Sequence, residues 1–254
     1  MQNIIPACVA AVFGSIFGSF TTMLIWRLHY DEPGICCGRS KCTNCGKVLK
    51  IRHLIPIFSW LIQQGKCGFC GAKISPFYPL TEFTFALTFF IFTLKFYGTW
   101  FLIPVLIAVL FVLVLFWYDA VFMEVDRRIS LVAIVFAFGL AFSREFPLSA
   151  FLIGGAVGYA FYAIQYYVSK GKWVGAGDAE LGLFMGLLLG WKFLILGLFL
   201  SYLLALVYAL PFLITKKMNR QTKIPMGAFL MPVTLLFLYN GYVFWEWYLR
   251  AFGW

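Results

Sequence analysis

The chain has 254 residues, of which 63% are hydrophobic, 20% aromatic and only 12% charged, with a formal net charge of +10. Soluble domains average about 45–50% apolar and about 25% charged residues, so this composition excludes a soluble globular domain and a disordered chain alike. It is the composition of an integral membrane protein, and it predicts helices, because a lipid-exposed backbone has to satisfy its own hydrogen bonds.

The first apolar run covers residues 4–26. It lacks a basic start and an A-x-A cleavage pattern, so it reads as a retained span rather than a signal peptide. Gly14 and Gly18 form G-x-x-x-G beside Ser15 and Ser19, which predicts close helix packing; a groove for a substrate helix is the alternative. Cys8, inside this run, reads as packing. An insert follows at 29–79, carrying six of the seven cysteines and most of the turn-forming residues. It is too small to bury much core and needs a staple. Seven more apolar runs come after it, at 80–98, 100–118, 130–142, 148–168, 180–191, 193–214 and 225–247, the third and fifth of these being short. A hydrocarbon core of about 30 Å needs roughly 20 apolar residues. The expected fold is therefore an all-α polytopic membrane protein of about eight transmembrane helices. Its parts are a first helix at 1–28, the insert at 29–79 and a membrane core at 80–254.

Of the twenty Lys and Arg residues, sixteen fall on one side of this topology, among them Arg39, Lys41, Lys47, Lys50, Arg52, Lys66 and Lys73 of the insert. Only Lys95, Arg144, Lys192 and Arg250 fall on the other. Positive loops stay in the cytoplasm, which puts the insert there and both termini outside. The net charge then records topology, and no nucleic-acid partner is expected. The basic loop at 216–223 stays beside the membrane lipid for the same reason.

Within the insert, Cys42-Thr43-Asn44-Cys45-Gly46 and Cys67-Gly68-Phe69-Cys70-Gly71 are two C-x-x-C-G units. Each can turn tightly enough to present two thiolates to one ion, the trailing glycine tolerating a positive φ. Together they make a closed four-cysteine site for structural zinc. A thiol-redox role for one pair is the competing reading, and a reducing cytoplasm disfavours disulfides. Cys36 and Cys37 lack the spacing of a third unit. His29 and His53 read as surface residues.

Two acids stand at the edges of apolar runs. Asp119 follows Phe116-Trp117-Tyr118, and Asp178 ends Gly175-Ala176-Gly177-Asp178. An ionisable group at membrane depth is a functional candidate by default, and the charge topology independently puts both on the cytoplasmic face. Two carboxylates sharing a water can act as acid and base in peptide hydrolysis without metal. Gly175 and Gly177 support such a loop by letting the backbone bend or approach a substrate. The plainer reading is that Asp178 caps a helix and Asp119 pairs with Arg127, Arg128 or Lys172.

These residues and their order resemble the bacterial type IV prepilin peptidases, membrane aspartyl proteases with a G-x-G-D motif. Gly14-Ser15-Ile16-Phe17-Gly18-Ser19-Phe20 with Arg27 is similar to the family's first-helix signature. The four-cysteine insert with Ile55-Pro56-Ile57-Phe58-Ser59-Trp60, the run Ile74-Ser75-Pro76-Phe77-Tyr78-Pro79-Leu80-Thr81-Glu82, and Ile224-Pro225-Met226-Gly227-Ala228-Phe229-Leu230 match further segments. The resemblance implies a protease that cuts the basic leader from type IV prepilins or pseudopilins after a glycine, at the cytoplasmic face of the inner membrane. Asp119 and Asp178 are then the dyad. It also implies N-methylation of the new terminus with S-adenosylmethionine, for which Glu82 is a candidate contact; a helix-terminal acid is the ordinary explanation for that residue. Two positions depart from the family. Where it carries I-P-D, this chain reads Glu124-Val125-Asp126, which makes Asp126 the alternative to Asp119. Its lysine after G-x-G-D is here Glu180, which either supports structure or meets the basic leader. Two other functions compete: an ion- or proton-coupled transporter using the two acids, and a thiol oxidoreductase using the cysteines.

Overall fold

The computed structural model describes residues 3–32, 38–143, 147–215 and 224–251. Cys36, Cys37, Arg144 and the basic residues of 216–223 lie outside them. All eight apolar runs form helices. They are α1 (Ile4–His29), α3 (Phe77–Phe96), α4 (Leu102–Phe122), α5 (Arg127–Phe142), α6 (Leu148–Ser169), α7 (Ala176–Leu189), α8 (Trp191–Ile214) and α9 (Gly227–Ala251). The insert adds a five-residue α2 (Phe58–Ile62) and a 3-10 turn at Ile51–His53. Among the described residues five helices, α1, α3, α4, α6 and α8, are long and apolar enough to cross a membrane. α5 and α7 have 16 and 14 residues, and the apolar part of α9 is Gly227–Gly241. Asn240 leaves helical geometry at the end of that part and kinks α9.

The chain divides into two compact units, residues 1–110 and 111–254. In the first, α1 packs on α3 through its small residues. A Cβ on Gly14 would stand 2.7 Å from the Phe85 carbonyl, and one on Gly18 would stand 2.8 Å from the Glu82 Cα. The G-x-x-x-G face is therefore a helix contact. Cys8, expected as packing, is exposed on α1.

In the second unit α7 is the central element, with ten of its fourteen residues buried. It meets α6 along paired glycines. A Cβ on Gly154 would lie 2.6 Å from the Gly186 carbonyl, and Gly158 and Gly182 touch backbone to backbone. Without side chains between them the axes come close enough for van der Waals attraction to hold two helices that lipid gives no hydrophobic reason to pair. On another face, Glu180 of α7 accepts a hydrogen bond from the Ser130 hydroxyl of α5 and lies 3.7 Å from Arg127. The acid at this position thus braces α7 against α5.

Candidate active site

Asp119 occupies the last turn of α4 and is 3% exposed. Its Oδ2 accepts a 2.8 Å hydrogen bond from the Ala228 N–H in the first turn of α9. A helix N-terminus carries unpaired N–H groups and partial positive charge, so it is a natural seat for a carboxylate. The pairing with Arg127, Arg128 or Lys172 weighed from sequence is not what holds Asp119.

The G-x-G-D string is a helix start rather than a loop ahead of one. Gly175 is the N-cap of α7 and Asp178 is its third residue, with Oδ2 accepting from the Gly175 N–H at 2.8 Å. The capping reading of Asp178 is realised in this geometry, yet the same residue, 8% exposed, also lines a cleft. Gly175 has φ −77, and Gly177 is not among the positive-φ glycines, so neither is required for a left-handed turn. Gly177 is small because a Cβ there would stand 2.5 Å from Val125 Cβ in the α4–α5 connection. Gly175 borders open space, its Cβ position meeting only Asp178 Oδ2 at 3.6 Å.

Both acids line one cleft of about 310 Å³, walled by the α4–α5 connection, the α6–α7 connection with Lys172 and Trp173, and the segment Ile224-Pro225-Met226 before α9. The structure thus brings Asp119, Asp178, Gly175 and Gly177 together. Asp126 is not part of the cleft wall. It is the N-cap of α5, Oδ1 accepting from the Arg128 N–H at 2.8 Å, with the Arg128 guanidinium 2.7 Å from Oδ2. Burial pushes the Asp126 carboxyl up, but its bonds to Arg128 and that residue's charge outweigh the burial and hold it below the usual carboxylate range.

Sequence reasoning missed Gly227 and Ala228 as site residues, although it quoted their segment. A Cβ on Gly227 would fall 2.9 Å from both Cγ and Oδ2 of Asp119 and 2.8 Å from Leu181 Cδ1. Only glycine lets α9 begin against the carboxylate. The bare Pro225-Met226-Gly227 start was the available signal, proline before a helix being a boundary mark.

Cys42, Cys45, Cys67 and Cys70 of the insert gather in the first unit. Their sulfurs all lie within 4.8 Å of one another, Cys42 and Cys70 being 3.9 Å apart. Tetrahedral zinc with Zn–S bonds of about 2.3 Å puts sulfurs about 3.8 Å apart, so the donor set fits that ion. The two halves are copies of one turn. Cys42 N–H donates to the Lys47 carbonyl and Cys67 N–H to the Ala72 carbonyl, and Gly46 and Gly71 have φ 68 and 71. Glu82, weighed as a cofactor contact, spends Oε2 on the Ile57 N–H at 2.6 Å.

Residues 12–96 match the bacterial peptidase A24 N-terminal domain, and residues 106–210 match the type IV leader peptidase family. The chain is 31% identical over 234 residues to a prepilin leader peptidase/N-methyltransferase of Bacillus subtilis (strain 168), covering 90% of this chain and 92% of the relative. A protein of the same description from Myxococcus xanthus (strain DK1622) is 32% identical over 223 residues, covering 84% and 65%. One from Aeromonas salmonicida (strain A449) is 28% identical over 271 residues, covering 94% and 92%. No solved structure matches the chain.

Proposed function

The chain belongs to the type IV leader peptidase family, and from that premise we propose that it is a membrane aspartic endopeptidase that removes the leader from type IV prepilins or pseudopilins and N-methylates the new terminus. The observation that carries the reading is the pair of buried carboxylates, Asp119 and Asp178, lining a single cleft. One carboxylate takes a proton from a water as it attacks the scissile carbonyl, and the other gives a proton to the departing amine. The two act as a coupled pair, so neither role is tied to one residue. Asp119 rather than Asp126 is the partner of Asp178, because Asp126 is committed to the start of α5 and to Arg128.

A peptide has to be extended for its carbonyl to reach the dyad. A glycine before the cut makes unwinding of a helical precursor less costly, by up to about 1 kcal/mol, and the open space beside Gly175 leaves room for a strand. Cleavage takes place at the cytoplasmic face, with the zinc module at 29–79 on that side and both termini outside. Cys42, Cys45, Cys67 and Cys70 hold zinc, which gives the insert the staple its small core lacks; a thiol-redox role does not suit four sulfurs gathered around one point. S-adenosylmethionine supplies the methyl group. Among the described residues there is no strand–helix–strand unit of the nucleotide-binding kind, which leaves the cysteine module and nearby helix ends to build its site. The relatives named above are peptidases, which leaves the transporter without support.

The test incubates purified protein with a prepilin and reads products by mass spectrometry. Asp119→Asn and Asp178→Asn should each lower cleavage by more than about 1,000-fold with helix content unchanged, and adding S-adenosylmethionine should add one methyl mass to the wild-type product. Undiminished cleavage by either variant would sink the dyad.

A further inference from the structure

The insert leaves large apolar side chains in the open: Ile51 is 86% exposed, Ile62 80%, Phe58 64%, Leu61 58% and Ile55 47%. None of the residues of α2 is buried, so this helix does not exist to make a core. Its place is nevertheless fixed. Ile57, the residue before it, has φ 64, a conformation that β-branched residues rarely adopt and that surrounding contacts must impose. The Ile57 N–H donates a 2.6 Å bond to Glu82, which is itself buried, and the Phe58 N–H closes the turn on the Pro56 carbonyl.

Glu82 lies five residues past the start of α3 at Phe77, about 7 Å along the helix axis. α3 is one of the membrane-length helices. The start of α2 is therefore held level with the first turns of a span, and apolar side chains exposed at that depth meet lipid. Charge agrees. From residue 38 to residue 76 there are seven Lys and Arg and no Asp or Glu, and a zinc tetrathiolate returns only two negative charges. Such a surface attracts anionic headgroups and repels a cationic peptide.

We propose that Ile51, Ile55, Phe58, Leu61 and Ile62 form a lipid-seating surface on which the insert rests against an anionic phospholipid bilayer, with Glu82 as the clamp that sets its height. The apolar side chains enter the boundary between headgroups and acyl chains, while Lys50 and Arg52 reach the phosphates. This rests on membrane embedding and is independent of the peptidase reading.

The experiment places the whole protein in nanodiscs of phosphatidylcholine, alone or mixed with phosphatidylglycerol, together with a lipid bearing a diazirine in its acyl chain. Adducts are mapped by mass spectrometry after illumination. Adducts on 51–62 are expected, stronger with phosphatidylglycerol, and a Phe58→Glu, Ile62→Glu double variant should lose them by about tenfold while α1 and α3 stay labelled. An unchanged zinc content in that variant shows that the module still folds; if zinc is lost, the wild-type comparison between the two lipids decides instead. Adducts on α1 and α3 with none on 51–62, or equal labelling of 51–62 in both lipids, would overturn the proposal. So would bifunctional crosslinks showing 51–62 covered by residues 111–254.

Discussion

At Asp126 and Asp119, two acids close in sequence, the structure gives opposite assignments. Asp126 caps α5 and binds Arg128, so Asp126→Ala should leave prepilin cleavage intact and cost about 1 kcal/mol of stability at neutral pH. Because the folded state holds this carboxyl below its usual range, its contribution is present above the unfolded pKa of about 3.9 and lost as the pH falls through the folded value. Thermal unfolding in detergent should therefore separate wild type from variant at pH 7 and bring them together in strong acid. Gly227 makes the complementary case. Gly227→Ala adds a better helix former at the head of α9, yet its methyl group collides with the Asp119 carboxylate. We expect kcat to fall about 100-fold with KM little changed, and a steady-state assay showing equal kcat would refute the placement. The sequence reading preferred Asp119 to Asp126, but the contacts that hold either acid were not open to it. G-x-G-D and two acids at the ends of apolar runs could be seen, but an N-cap is recognisable only once the helix start is known, and the Ala228 N–H is supplied from across the fold.

At the scale of elements, the seam between α6 and α7 decides where Asp178 stands. Gly158→Ala and Gly182→Ala each drive a methyl group into a facing backbone, which cannot move aside as a side chain can. Each should lose about 3 kcal/mol and much of the activity. Gly139→Ala in α5 is the control, since nothing lies within 4 Å of its Cβ position; it should gain rather than lose stability, by up to about 1 kcal/mol. Scanning calorimetry of the three variants tests the contrast. The glycine spacing at 154, 158, 182 and 186 was as plain in the sequence as that at 14 and 18, but a small-residue stripe does not say which helix it meets. α2 escaped notice because five residues carry no readable period.

For the molecule as a whole, each apolar run coincides with a helix among the described residues, and the longest runs, near twenty residues, have few alternatives in lipid. What hydropathy could not say is which of the shorter runs reach across, since α5 and α7 are 16 and 14 residues long. The insert is a different kind of object, in which four sulfurs gather within 4.8 Å of one another. Removing zinc with a strong chelator should make residues 38–76 sensitive to soluble protease while circular dichroism of the membrane helices barely changes; metal analysis should return one zinc per chain. The bond from Ala228 to Asp119 has a consequence in time. A chain leaving the ribosome inserts its helices from the amino end, so both acids are in the membrane before the helix that seats one of them has been made. On the proposed dyad, Asp119 gains the N–H that seats it only when α9 has been made.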